Sequence, residues 1–213
     1  MQKVASKIMA LGGLLGPILF TITIIICGSW RVDYSHLHNF ISELGATNTS
    51  NYQLMNFLGF IPSGIFLCLF GISLLIITPK SFKSKIGSAL IIIFGIGVML
   101  AGIFSCDQGC PPIGSLESTV HDRVSAIAFM SAIAGISLLG LTFRKLTSFK
   151  NLSTYSILSG IIAALFLITM ISTFESRVYT GLWQRLLLLT IFIWTSIMGL
   201  FLNQNFDELK LSS

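Results

Sequence analysis

Apolar residues gather into six charge-free runs, Ile8–Gly28, Leu54–Thr78, Ile86–Phe104, Val124–Phe143, Ile157–Phe174 and Leu186–Leu202, with the charged residues outside them. Each run holds 17 to 25 residues and no charge. An α-helix needs about 20 such residues to cross a hydrocarbon core of roughly 30 Å. The pattern therefore predicts an all-α polytopic membrane protein. It has six transmembrane helices in one bundle and a single domain over residues 1–213. Lysines precede the first run as they would in a signal peptide. That run is too long for such a segment, and no small-x-small cleavage site follows Gly28-Ser29-Trp30-Arg31, so it reads as a retained helix.

The gaps carry a second pattern. Leu37, Phe40, Ile41 and Leu44 recur at the spacing of one helical face. His36, Asn39 and Glu43 fall on one polar stripe, with His38 and Ser42 beside it. The spacing predicts a short amphipathic helix over about 35–45, lying apolar side down on the outer surface. Ser35 would cap its start and Gly45 would end it in the left-handed conformation. Gly12 and Gly16 form a small-x-x-x-small pair, and Gly95, Gly97 and Gly102 lie in the third helix, where small residues let backbones approach closely.

Composition agrees with the helical pattern. The chain is 54% hydrophobic and 10% charged, with a mean hydropathy of +0.87, which excludes a water-soluble domain. Nine of the thirteen basic residues (Lys3, Lys7, Lys80, Lys83, Lys85, Arg144, Lys145, Lys150 and Lys210) fall on one side of the predicted bundle. Positive residues mark the cytoplasmic side, so the expectation is a cell-membrane protein with both termini in the cytoplasm. The net charge of +5 then reflects topology and attraction to anionic lipid heads rather than nucleic-acid binding. Expected partners are membrane lipids and a second copy or another membrane protein.

The candidate chemistry is concentrated in the outer gaps. Cys106 and Cys110 flank a short loop on the oxidising side, where a disulfide is the simpler reading and a metal pair the alternative. His121 opens the predicted fourth helix with Ser125 one turn on, and Asp107 lies just past the third at a similar depth. A carboxylate beside an imidazole fixes its tautomer for acid–base or metal chemistry, or simply clamps two helix ends. Arg185, beside Gln184 just before the last run, can snorkel or bind an anion. Glu43, Asp107, His121 and Arg185 are expected to converge in one outer pocket. His121 would lie within reach of Asp107 or Glu43.

Three stretches, His38-Asn39-Phe40-Ile41-Ser42-Glu43-Leu44-Gly45-Ala46, Gly102-Ile103-Phe104-Ser105-Cys106-Asp107 with His121 and Ser125, and Gln184-Arg185, resemble the bacterial and archaeal six-helix membrane family called domain of unknown function 998. The resemblance spans nearly the whole chain and implies fold and location, not an activity. More remotely, Ile41-Ser42-Glu43-Leu44-Gly45, the His121/Ser125 pair and Arg185 are similar to motifs of the Frag1/DRAM/Sfk1 membrane proteins, which implies lipid handling.

Two function classes follow. In the first, the protein binds or handles a lipid or small amphiphile through an outward-facing polar pocket, with Arg185, Gln184, His38, Ser42 and His36 as ligand-binding residues. In the second it is an intramembrane hydrolase or transferase using His121 with Asp107 and Glu43, and with Ser125 nearby. A metal variant would draw on His121, Asp107 and His36, and the sequence names no cofactor. No H-E-x-x-H or G-x-S-x-G motif is present.

Overall fold

The computed structural model describes residues 2–78 and 81–211, without the side chains of 2, 3, 148 and 207–211. Lys80 and the side chains of Lys3 and Lys210 therefore lie outside the described residues. Six helices are long and apolar enough to span a membrane: α1 (Val4–Ser29), α2 (Tyr52–Ile77), α3 (Phe82–Ile103), α4 (Leu116–Phe143), α5 (Lys150–Ser172) and α6 (Thr180–Phe206). The protein is an all-α multi-pass membrane protein, with no strand among the described residues. Consecutive helices pack side by side, and α6 closes the ring against α1. Phe20, Phe70, Phe94 and Trp194 are fully or almost fully buried inside it. Ile25, Phe57, Ile65, Ile168 and Leu189 are exposed on the outside, facing the hydrocarbon.

Close approach of backbones holds the ring. A side chain on Gly95 would stand 2.6 Å from the Cys68 nitrogen and 2.9 Å from the Gly64 oxygen, so α2 and α3 meet there only because both residues are glycine. Pro17 inside α1 has no N–H to give the carbonyl one turn back. The hydroxyl of Ser196 on α6 donates to that carbonyl, on Gly13, at 3.2 Å. Residues Met55–Phe60 form one wide π-turn within α2.

Several helices begin earlier than the apolar runs. α4 starts at Leu116, eight residues before Val124, because the Ser115 hydroxyl caps it by accepting from the Ser118 N–H. Polar residues can occupy these extra turns because they stand above the apolar band. His121 thus lies in the second turn of α4 and does not open it.

The helix expected over 35–45 is replaced by a turn at residues 36–38, an extended Phe40 and a 3-10 turn at Ile41–Gly45. Side chains divert the backbone. Glu43 Oε1 accepts from the Phe40 N–H at 2.9 Å, the group that a helix would bond to the carbonyl of residue 36, and Asn39 Oδ1 accepts from the Ser35 N–H at 2.8 Å. The 3-10 turn is buried, not laid on the surface, and Leu37 is exposed. Gly45 is not left-handed. It is glycine because a Cβ there would collide with the Asn56 side-chain oxygen.

Candidate functional site

One end of the ring is covered by a cap built from the connections 30–51, 104–115 and 173–179. Arg177 pins the three together. Its guanidinium donates to Glu43 Oε1 at 3.4 Å and to the carbonyls of Gly109 and Cys110 at 3.2 and 2.7 Å. It also lies over the rings of Phe40 and Phe174, 4.6 and 5.3 Å from their centroids. The buried Glu43 carboxylate takes a further bond from the Asn39 amide at 2.7 Å, while Arg31 donates to its backbone carbonyl. Asn56, on the wide turn of α2, donates to the Gly45 carbonyl at 3.0 Å and to Ser105 Oγ at 2.9 Å. Gln184 on α6 accepts from the Ile41 N–H at 2.7 Å. The 3-10 turn is thus held from both ends by groups on other elements.

The start of α4 is fixed as firmly. Asp107 accepts from the N–H and hydroxyl of Ser115 at 2.6 and 2.9 Å, and Glu117 accepts from the Ser105 N–H at 2.8 Å. This reciprocal clamp sets the height of α4 against the end of α3 and so places His121. The His121 ring is 3% exposed, with Nδ1 2.8 Å from the Phe104 carbonyl and 3.0 Å from that of Ala101. These are carbonyls at the C-terminal end of α3, left without helical partners. A carbonyl can only accept, so Nδ1 carries the proton. In the neutral ring Nε2 is then the acceptor, and the Ser42 hydroxyl, 2.9 Å away, donates to it.

Ser42 and His121 lie on the wall of a cleft of about 260 Å³ between α4 and α5. Phe40, Phe129, Leu167, Met170, Ile171 and Phe174 give it apolar sides. Ser42, His121, Ser125 and Gln184 supply its polar groups, and Asp122, Cys110 and Pro112 line it as well. The cleft lies between the two spans least covered by protein: 28% of the apolar stretch of α5 and 39% of that of α4 is buried, against 50% for each of the other four. A separate cavity of about 30 Å³, also touching Ser42, Ser125 and Gln184, lies further inward beside Phe20 and Phe60.

The four residues expected to converge do not share one pocket. His121 pairs with Ser42, Asp107 with Ser115, and Glu43 with Asn39 and Arg177. Arg185 belongs to a second cleft, of about 290 Å³ between α1 and α6, with His36, Thr21, Leu186 and Leu189. Arg185 donates to His36 Nδ1 at 3.2 Å, to Asn39 and Gly181 carbonyls, and to the Tyr34 hydroxyl. Burial first, and then the Arg185 charge, lower the His36 pKa. Burial pushes Tyr34 up to about 12 despite the opposing pull of Arg185. His38 stacks on Tyr179 and accepts from its N–H.

Among the described residues no three His, Cys, Asp or Glu side chains converge as a metal site, so His121, Asp107 and His36 do not form one. Cys106 and Cys110 are joined as a disulfide, while Cys27 and Cys68 are free. Sequence reasoning missed Arg177, Asn56 and Glu117 as organisers of the cap. Asn56, a polar residue at the start of an apolar run, was the one visible signal.

A family profile described as "Protein of unknown function (DUF998)" matches residues 14–200. No curated protein and no solved structure matches, so the likeness to the Frag1/DRAM/Sfk1 proteins is not shown.

Proposed function

The chain belongs to the DUF998 family, and we propose that this member is a lipid-handling membrane protein that draws an acyl chain into the cleft between α4 and α5. The supporting observation is the composition of that cleft. Its sides are aromatic and aliphatic, while its polar groups include two hydroxyls, an imidazole and an amide, which suit a carbonyl or hydroxyl of an amphiphile. The flanking helices are the two least embedded in the ring, which gives a lipid tail a lateral path.

The orientation is part of the same reading. Lys7, Lys83, Lys85, Lys145 and Lys150 gather at the end away from the cap, so that end faces the cytoplasm and the cap faces the far side of the cell membrane. A disulfide in the cap suits an oxidising compartment. Partners are the lipids themselves.

The test is native mass spectrometry of protein taken from the membrane in mild detergent. Ala126 is exposed on the cleft wall, so Ala126→Trp fills the cleft without entering the core. Lipid occupancy should fall about tenfold, the effect of excluding roughly two methylenes at about 0.8 kcal/mol each. Equal occupancy in both proteins contradicts the reading.

A further inference from the structure

The geometry points to Ser42 as an acyl-accepting nucleophile and His121 as its general base, acting on the ester carbonyl of a lipid whose chain lies between α4 and α5. The inference rests on the lipid-handling reading above and adds a reaction to it.

The polarity of the pair is set by its surroundings. Both carbonyls at His121 Nδ1 accept only, so the Nε2 lone pair faces the Ser42 hydroxyl at 2.9 Å. This is the separation and direction that removal of the hydroxyl proton requires. The two carbonyls close α3, where its aligned peptide dipoles present partial negative charge. They hold the ring in one tautomer and stabilise the imidazolium as it forms. A buried carboxylate does the same work in a Ser-His-Asp triad.

The contact is not needed to build the cap. The 3-10 turn is already fastened through Ile41, Glu43 and Gly45, each by a bond that leaves the Ser42 side chain free. Ser42 remains half-buried on the cleft wall, while His121 is sealed from bulk water. Gln184 lines the same cleft. Its oxygen is occupied by the Ile41 N–H, so its NH₂ is the group left to donate to an oxyanion.

The reaction balances without a further cofactor. Ser42 Oγ bonds to the ester carbon as its proton moves to His121 Nε2. The carbon–oxygen bond to the leaving alcohol breaks, and that oxygen takes the proton back from Nε2. The acyl group now rests on Ser42. Water, or the hydroxyl of a second lipid, then attacks with His121 again as base, releasing a fatty acid or a transferred ester and restoring the serine. Asp122 at the cleft disfavours a bare phosphate there, so the substrate class is an ester lipid whose head carries hydroxyls or an amine.

An alkyl fluorophosphonate tests the pair, because it forms a stable bond to an activated serine with loss of fluoride. Full-length protein is treated in nanodiscs of phosphatidylethanolamine and phosphatidylglycerol, and the modified residue is found by peptide mass spectrometry. The expected result is label on Ser42, none there in Ser42→Ala, and labelling slowed about a hundredfold in His121→Gln. His121→Gln also alters packing beside Phe60, so Ser42→Cys gives an independent readout. Its thiol, next to the imidazole, should react with an alkylating agent about tenfold faster than the thiol of Ala126→Cys on the same cleft. Folded protein that takes no label, or takes it at Ser125 and not Ser42, overturns the assignment, as does equal reactivity of the two thiols. Lipid occupancy of the same samples separates the two ideas. An occupied cleft without label removes only the reaction, and an empty cleft removes the lipid-handling reading as well.

Discussion

The hydroxyl of Ser42 lies 2.9 Å from Nε2 of His121, across 79 positions of sequence. Three arrangements make the contact. Gln184 fixes the entry to the 3-10 turn, the Asp107–Ser115 clamp sets the height of α4, and the end of α3 holds the far side of the imidazole. Each can be removed separately.

Gln184→Ala leaves the buried Ile41 N–H without its acceptor. Losing that partner should cost about 1–3 kcal/mol. Thermal unfolding in detergent should show the loss, and Ser42 should become less reactive than in the parent. Unchanged stability would mean that the turn is held by its other contacts alone.

Arg177→Ala withdraws the cation from the Glu43 carboxylate, which is 4% exposed. Breaking a fully buried pair costs roughly 3–5 kcal/mol, and the partial exposure of Arg177 lowers the expectation to about 2–3 kcal/mol. Arg177→Lys should recover less than half, since an ammonium cannot reach the two carbonyls and both aromatic rings in one plane. Adding Glu43→Gln to Arg177→Ala should restore part of the loss, because a neutral amide needs no cation. Additive losses in the double variant would contradict this pairing.

Acid should loosen the cap at His36. Burial and the Arg185 charge place its folded pKa below the ordinary imidazole value of about 6.5. Above that pH neither state binds the proton, and His36 contributes no pH dependence. As pH falls through about 6.5 the unfolded chain is protonated first, so stability drops until the folded His36 is protonated too. Protonation also removes the Nδ1 lone pair that accepts from Arg185. The midpoint of thermal unfolding between pH 7.5 and 5 should therefore slope less in His36→Gln than in the parent. Equal slopes would show that His36 is not the group responsible.

Reporter fusions address the orientation. A fusion after Lys83 should report the cytoplasm and one after Ala46 the opposite compartment. Non-reduced peptide mapping should recover Cys106 and Cys110 linked. Fusions reporting one side, or free thiols at both positions, would contradict the orientation.

The six spans were legible because a membrane helix declares itself by length and lack of charge alone. Their ends were less so. Ser115 and Glu117 start α4 by capping and side-chain hydrogen bonds, which leave no mark in a run of apolar residues. The cap departs from its sequence pattern where a side chain competes with the backbone. The apolar spacing of Leu37, Phe40, Ile41 and Leu44 suits a helix, yet Glu43 captures the Phe40 N–H, which a helix would bond to the carbonyl of residue 36. Ser42, His121, Ser125 and Gln184 were each visible as candidates. Their pairing was not, because a histidine and a carboxylate at the same depth on adjacent helix ends suggest partners, whereas helix-end carbonyls take that place. Carbonyls are carried by every residue and give no signal in a sequence.

The most direct measurement is photocrosslinking with a phospholipid that carries a diazirine near the end of one acyl chain, read out residue by residue in membranes. Adducts should concentrate on Phe129, Leu167, Met170 and Phe174 and be lost in Ala126→Trp. Adducts spread evenly over the outward isoleucines of all six helices, unchanged by Ala126→Trp, would contradict it.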